Sequence, residues 1–230
     1  MKHRKENFVI DNKSCIGYIT DTAKYLLIQP VDEHDIEVLD NEVKEILKNT
    51  DKQFSLIAFK IEDWNNELSP WEATPAFGNK SFGSGAKDTL EFIESRLIPM
   101  VKEKYNLDDD IKFILGGYSL AGLFSLWSAY KSNTFTGIAA ASPSVWFNGW
   151  EEFMNNNMPL SNTIYLSLGD TEEKTKNKVM CAVGVNIRKQ EELLKNDNIN
   201  TILEWNKGGH FSDSDIRVAK AFAWCIENLC

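Results

Sequence analysis

The stretch "FILGGYSLAGLFSLWSAY", residues 113–130, decides the fold of this chain. An apolar run ends at Gly116 and Gly117, a serine follows at Ser119, and an apolar helical pattern then begins. A buried strand that turns tightly into an amphipathic helix is the repeating unit of a parallel sheet covered by helices. Ser119 is therefore either a nucleophile on a strained turn or a small residue where a strand meets a helix.

The same alternation of strand and helix patterns continues on both sides of this stretch. Short apolar or β-rich runs predict strands at 54–61, 111–117, 135–143, 163–170 and 200–205, and those at 54–61, 111–117 and 163–170 are predicted to be buried. Helical patterns fill the intervals at 37–49, 86–106, 120–131, 183–196 and 212–229. Near the N-terminus, 7–11, 15–20 and 24–31 are predicted as antiparallel strands at one sheet edge. The pattern predicts an α/β fold with a mostly parallel central sheet and helices on both faces.

Length and charge limit the domain organisation and the partners. The 230 residues contain no repeat, no Pro/Gly linker and no insertion long enough for a cap, which predicts one domain over 1–230. A formal net charge of −9 argues against nucleic acid and anionic membranes as partners. No apolar run is long enough to cross a bilayer and no signal-type stretch follows the basic start, so we expect a cytoplasmic protein. The oligomeric state stays open.

The four cysteines, Cys15, Cys181, Cys225 and Cys230, are scattered and form no CxxC pair. This spacing predicts free thiols, with neither a disulfide framework nor a metal site.

The residues around Ser119 suit a nucleophile elbow, in which a serine sits on a strained strand-to-helix turn. The positions two before and two after the serine must be small because strand and helix pack closely there. Gly117 and Ala121 fill them, so the motif reads G-x-S-x-A where glycine is usual at both. Leu120 begins the helix, and its N–H is predicted to face an oxyanion.

A base and an acid follow Ser119 at predicted strand ends. Of the three histidines, only His210 lies between the last strand and the last helix, after two glycines that let the loop bend. Asp170, Glu172 and Glu173 directly follow the strand at 163–170 and are three candidates for the acid. The chain order serine, acid, histidine is that of the α/β-hydrolases.

Together these features resemble the esterase-D-like branch of the α/β-hydrolase superfamily, which includes siderophore and feruloyl-type serine esterases and acyltransferases. The features are "GGYSLAGL" (116–123), "DWNNELSPW" (63–71), "ASPSVWF" (141–147), "SLGDTEE" (167–173) and "GGH" (208–210). The resemblance runs from about residue 25 to the C-terminus. It implies a serine esterase that uses an acyl-enzyme intermediate, needs no cofactor or metal and acts on a small-molecule ester.

The resemblance also assigns roles to residues. Ser119 matches the nucleophile and His210 the base. The family's acid commonly lies about three residues past the glycine that ends its strand, which favours Glu172 over Asp170 and Glu173. The second oxyanion N–H is expected after the strand 54–61, at Ile61 or Glu62.

Tryptophans mark the expected substrate pocket. Trp64 and Trp71 lie in a long irregular segment at 62–87, and Trp146 follows the strand at 135–143. Loops of this length are usually functional. Aromatic rings around the serine predict an apolar or aromatic acyl or alcohol group; alternatively, the rings pack the loops down as a minor core.

Two other functions stay open: an acyltransferase on the same site, and a catalytically silent fold that binds a ligand or a protein.

Overall fold

A single eight-stranded sheet forms the centre of the computed structural model, which describes residues 3–76 and 78–229. The strands lie in the order β1-β2-β4-β3-β5-β6-β7-β8. Their bounds are β1 (Arg4–Ile10), β2 (Lys13–Ile19), β3 (Tyr25–Val31), β4 (Phe54–Lys60), β5 (Lys112–Tyr118), β6 (Gly137–Ala141), β7 (Thr163–Gly169) and β8 (Asn200–Asn206).

The strand directions confirm the mostly parallel sheet and correct one detail. From β4 to β8 along the sheet all neighbouring strands are parallel, and only the pairs β1–β2 and β2–β4 are antiparallel. The sequence-based prediction that 24–31 forms an antiparallel edge strand is wrong, because β3 lies between β4 and β5 and is parallel to both. All seven of its residues are buried, as expected for a central strand covered on both faces.

Helices connect the parallel strands. They are α1 (Glu33–Asn49), α2 (Trp64–Glu67), α3 (Ala86–Phe92), α4 (Ile98–Tyr105), α5 (Leu120–Ser128), α6 (Trp150–Asn156), α7 (Val183–Asn196) and α8 (Ser214–Asn228). A π-helical turn, Ile93–Leu97, joins α3 to α4.

Two apolar cores lie on opposite faces of the sheet. The helices α1 and α8 bury Val43, Phe222 and their neighbours against one face. The helices α3 to α7 cover the other face, where Leu97, Phe124 and Ile187 are buried. Alternate residues of one strand reach alternate cores: Leu26 and Ile28 lie in the second core and Leu27 in the first. This three-layer arrangement leaves the carboxyl ends of the strands free to form a site.

Three cysteines, Cys15, Cys181 and Cys225, are unbonded, and Cys230 lies outside the described residues. Among the described residues, no helix combines the length and apolar character needed to cross a membrane.

Candidate active site

Ser119 lies on a strained turn between β5 and α5. Its φ of 57° and ψ of −118° place a residue that has a side chain in the region that favours glycine. The turn is held from both sides, because the Ser119 N–H donates to the Ala141 carbonyl and the Ser119 carbonyl accepts from the Ser144 N–H. The sequence prediction of a strained serine turn at this position therefore agrees with the backbone.

The small residues around Ser119 fit one another closely. A Cβ added to Gly117 would lie 2.6 Å from the Cβ of Ala121, and a Cβ added to Gly116 would lie 2.6 Å from the Phe222 ring. Ala121 is itself completely buried. The methyl group of Ala121 thus occupies the space that the missing side chain of Gly117 leaves. This close fit accounts for alanine at position 121, where the motif usually has a second glycine.

The loop after β8 brings His210 to Ser119. The His210 Nε2 lies 3.0 Å from the Ser119 Oγ. On the other side of the ring, Nδ1 lies 2.7 Å from the Glu172 Oε2. When Nδ1 carries the proton and donates to Glu172, the Nε2 lone pair faces the serine hydroxyl and accepts from it.

Of the three candidate acids, only Glu172 contacts His210. The exposed Asp170 accepts a hydrogen bond from the Gly208 N–H at 2.9 Å, which shapes the loop that carries His210. Glu173 forms two hydrogen bonds with the Arg188 guanidinium, at 2.8 Å and 2.9 Å. Glu172 faces inward because it begins a short 3-10 turn directly after β7, and it is 7% exposed.

The second oxygen of Glu172 is held by three donors. Its Oε1 accepts from the Gly169 N–H at 2.7 Å, the Ser142 hydroxyl at 2.9 Å and the Arg217 guanidinium at 3.0 Å. Burial alone would raise the pKa of Glu172, but its hydrogen bonds, led by that of His210, outweigh burial and lower the pKa below its ordinary value. Glu172 is therefore ionised at neutral pH and can stabilise a positively charged imidazole.

Arg217 is the main feature of this site that the sequence prediction missed. It lies in the first turns of α8, 45 residues from Glu172, and is 1% exposed. A signal existed: Arg217 shares a helical stripe with Ala221 and Cys225, both fully buried. A charged residue on an apolar stripe indicates a buried partner.

The predicted second oxyanion donors are not available. The Ile61 N–H donates to the Val31 carbonyl at 2.9 Å, and the Glu62 N–H donates to the Glu67 carboxylate at 3.0 Å. The sheet order gives the reason, because β3, not β4, is the neighbour of β5. The loop after β4 is thus one strand further from Ser119. Leu120 remains a candidate donor, since the first N–H groups of a helix have no intrahelical acceptor.

Two cavities meet at His210 and Phe211. The first has a volume of about 230 Å³ and is lined by apolar side chains that include Trp146 and Met180. Phe211 is 98% exposed and lines both cavities, so its ring does not pack into a core.

The second cavity contains Ser119 and is more polar. It has a volume of about 220 Å³ and is lined by Trp64 together with the carboxyl groups of Asp32 and Asp35. Burial, and then the neighbouring Asp32 carboxylate, raise the pKa of Asp35 to about 6.

The three predicted substrate-binding tryptophans separate into two groups. Trp64 and Trp146 each line one cavity, whereas Trp71 lines neither of these two. Trp71 packs against Phe147, Trp150 and Phe153 and donates from Nε1 to the Asn148 carbonyl at 2.8 Å. Its place corresponds to the minor-core alternative. Across the described residues, no group of three or more His, Cys, Asp or Glu side chains is arranged to hold a metal ion.

Comparisons with solved structures give proteins of the same fold. An IroE-like serine hydrolase from Shewanella oneidensis matches with a TM-score of 0.77 and 12% identity, over 96% of this chain and 79% of that chain. The siderophore hydrolase EstA from Aspergillus nidulans matches with a TM-score of 0.73 and 15% identity, over 98% and 93%. The enterobactin esterase FES from Shigella flexneri matches with a TM-score of 0.69 and 14% identity, over 100% and 60%. At these identities the likeness establishes the α/β-hydrolase fold.

A search of curated protein sequences gives no match. The family described as "Putative esterase" matches residues 46–211, which is well over half of the chain and includes Ser119, Glu172 and His210. The chain therefore belongs to this esterase family and is a carboxylic ester hydrolase with an α/β-hydrolase fold.

Proposed function

We propose that this enzyme hydrolyses small-molecule carboxylic esters through a catalytic triad of Ser119, His210 and Glu172. The observation that carries the proposal is the position of His210, whose two ring nitrogens lie 3.0 Å from the Ser119 Oγ and 2.7 Å from the Glu172 Oε2. This continuous chain of hydrogen bonds is what activation of a serine hydroxyl requires.

The reaction proceeds in two steps. His210 Nε2 takes the Ser119 proton as Oγ attacks the ester carbonyl carbon, and the Leu120 N–H donates to the oxyanion of the tetrahedral intermediate. Collapse of the intermediate breaks the bond to the alcohol, which leaves with the proton from His210 and gives an acyl-Ser119 ester. A water molecule, deprotonated by His210, then attacks this ester and releases the carboxylic acid and free Ser119.

The cavities favour an ester with two chemically different parts. The cavity lined by Trp146 and Met180 suits an apolar or aromatic group, and the cavity with Asp32 and Asp35 suits a polar or hydroxyl-bearing one. Proteins named as a siderophore hydrolase and an enterobactin esterase share the fold. Siderophore esters are therefore among the substrates that we propose to test.

Serine-directed labelling tests the triad. In the Ser119→Ala variant we expect kcat/KM on p-nitrophenyl butyrate to fall by at least about 10⁴-fold. Covalent labelling by a fluorophosphonate should disappear, while the control Ser95→Ala, at an exposed serine, should leave both unchanged. Retained labelling and activity in Ser119→Ala would show that another residue is the nucleophile.

The two other functions weighed from the sequence receive different support. A catalytically silent fold would place His210 beyond hydrogen-bond reach of Ser119, and the 3.0 Å separation argues against it. For an acyltransferase, added alcohols should compete with water for the acyl group, and product partitioning measures that competition. The cytoplasmic location stays a prediction, which fractionation of producing cells would test.

A further inference from the structure

We infer that Arg217 is a positioning residue. Its buried guanidinium holds Glu172, the loop that carries His210 and the turn that carries Ser119 in one catalytic arrangement. This inference rests on the proposed function of Ser119, Glu172 and His210.

The guanidinium of Arg217 contacts each of the three segments that carry the proposed triad. Its Nη1 donates to the Glu172 Oε1 at 3.0 Å and to the Tyr118 hydroxyl at 3.1 Å. Its Nη2 donates to the Lys207 carbonyl at 3.2 Å and to the Gly209 carbonyl at 3.0 Å. Tyr118 directly precedes the nucleophile, and Gly209 directly precedes the base.

The directions of the hydrogen bonds around Arg217 are fixed because a guanidinium can only donate. Tyr118 therefore accepts from Arg217 and donates its own proton to the His210 carbonyl at 2.6 Å. Ser142 accepts from Arg217 at 3.2 Å and donates to the Glu172 Oε1. Through these hydrogen bonds the Tyr118 hydroxyl links Arg217 to His210, and the Ser142 hydroxyl links Arg217 to Glu172.

The contacts divide the two oxygens of Glu172 between two tasks. Oε1 is held by Arg217, Ser142 and the Gly169 N–H, which leaves Oε2 facing His210. Loss of the guanidinium would free the carboxylate to rotate, and Oε2 would no longer fix the orientation of the imidazole.

Stability alone does not explain a charge at this position. A buried ion pair such as Arg217 with Glu172 seldom adds net stability over apolar residues of the same volume, because both charges lose their hydration. Most of the partners of Arg217 belong to the proposed active site or to the loops that carry it, so its role is the geometry of that site.

The experiment compares Arg217→Met, which removes the charge and keeps most of the volume, with Arg217→Lys, which keeps the charge and loses the planar fork. We expect kcat on p-nitrophenyl butyrate to fall about 100-fold in Arg217→Met, with KM changed less than about twofold, because misplacement of catalytic groups acts on the transition state. Arg217→Lys should recover part of the lost kcat.

The pH profile separates positioning from a purely structural effect. Removing the Arg217 cation makes the net charge beside His210 more negative, which favours the protonated imidazole even when the Glu172 carboxylate rotates. The acidic limb of kcat/KM should therefore move to higher pH in Arg217→Met and stay near its wild-type position in Arg217→Lys. The matched control Arg188→Met removes an arginine that pairs with Glu173 and should change neither kcat nor the profile.

The outcomes distinguish this inference from the proposed function. A folded Arg217→Met variant with wild-type kcat and pH profile would overturn the role of Arg217. In that case, fluorophosphonate labelling of wild-type Ser119 would still support the proposed triad. A wild-type protein without labelling or esterase activity would overturn both.

If Arg217→Met does not fold, Tyr118→Phe removes the hydroxyl between Arg217 and the His210 carbonyl. A fall of kcat by about 10-fold would then support the network, and an unchanged kcat would contradict it.

Discussion

At the scale of single residues, Glu42 is an acid that is buried without a cationic partner among the described residues. It lies on α1, is 2% exposed, and its Oε2 accepts from the Gln29 amide at 3.2 Å. Within residues 3–76 and 78–229, the Oε1 atoms of Glu42 and Gln29 have no hydrogen-bond partner. Burial above all, with the Asp35 and Asp215 carboxylates adding to it, raises the pKa of Glu42 well above its ordinary value of 4.5.

This burial makes the stability of the protein depend on pH through Glu42. The folded state keeps the Glu42 proton above pH 4.5 and the unfolded state loses it, so the free energy of unfolding falls as pH rises through this window. Glu42→Gln removes the titration and offers a donor to the Gln29 Oε1. We expect the variant to be more stable than wild type by about 1–3 kcal/mol at pH 8, with a smaller gain at pH 5, in urea unfolding.

A suitable control for this prediction is Glu37→Gln, at an exposed position of the same helix. An equal gain from Glu42→Gln at both pH values would show that ionisation is not the cause.

Residues around Ser119 differ in how far the sequence reveals them. Ser119 and His210 stand out because local patterns surround them, and the structure brings both together with Glu172. Arg217 carries only the signal of a charge on an apolar stripe, because its side-chain partners Glu172 and Tyr118 are 45 and 99 residues away in the chain. The distance of Ile61 from the Ser119 turn cannot be predicted from the sequence, because the order of β3 and β4 in the sheet cannot be read from one strand pattern.

At the scale of elements, the turn from β5 to α5 depends on the contact between Gly117 and Ala121. A Cβ on residue 117 would lie 2.6 Å from the Ala121 Cβ and 3.1 Å from its carbonyl carbon. We expect Gly117→Ala to lower the free energy of unfolding by about 1–3 kcal/mol and kcat/KM by about 100-fold, because the helix that begins beyond Ser119 must move away.

The double variant Gly117→Ala/Ala121→Gly tests the cause of this loss. It removes the closest contact, so it should recover part of the stability and activity that Gly117→Ala loses. Urea unfolding and p-nitrophenyl butyrate kinetics measure both. A double variant that is no better than Gly117→Ala would refute the contact as the cause.

Elements were predicted more accurately where their pattern is strong. The strands β4 to β8 and the helices α5, α7 and α8 lie close to the predicted segments. The pattern of β3 predicts a strand, and the structure confirms it. The direction and identity of its neighbouring strands are not predictable from that pattern, because they depend on segments far away in the sequence. Around Pro99 a kink is expected in one helix; instead, the π-helical turn Ile93–Leu97 precedes the proline, which lies in the first turn of α4.

At the scale of the whole molecule, we propose that the chain folds as one domain. One sheet separates the two cores, and each strand from β3 to β7 contributes side chains to both. Loss of one core should therefore unfold the other. Phe222→Ala, at a fully buried residue of α8, should lower the free energy of unfolding by about 3–5 kcal/mol.

The two probes for this prediction report on the core opposite Phe222 and on the secondary structure of the whole molecule. Trp127, Trp146 and Trp150 are buried in the core opposite Phe222. We expect tryptophan fluorescence and far-UV circular dichroism to give one coincident urea transition, shifted together by Phe222→Ala. Phe211→Ala, at a side chain that is 98% exposed, is the control that should not shift the midpoint. Two separate transitions would show that the faces unfold independently.

The close fit of Gly117 and Ala121 also restricts how the elbow can change during evolution. Starting from this chain, alanine at 117 meets the Ala121 methyl, whereas glycine at 121 removes that obstacle first. A lineage that moves the methyl group from one side of the serine to the other therefore loses least when it passes through an intermediate with glycine at both positions. The contact between residues 117 and 121 therefore favours one order for the two substitutions. The usual form of the motif, with glycine at both positions, is the intermediate between them.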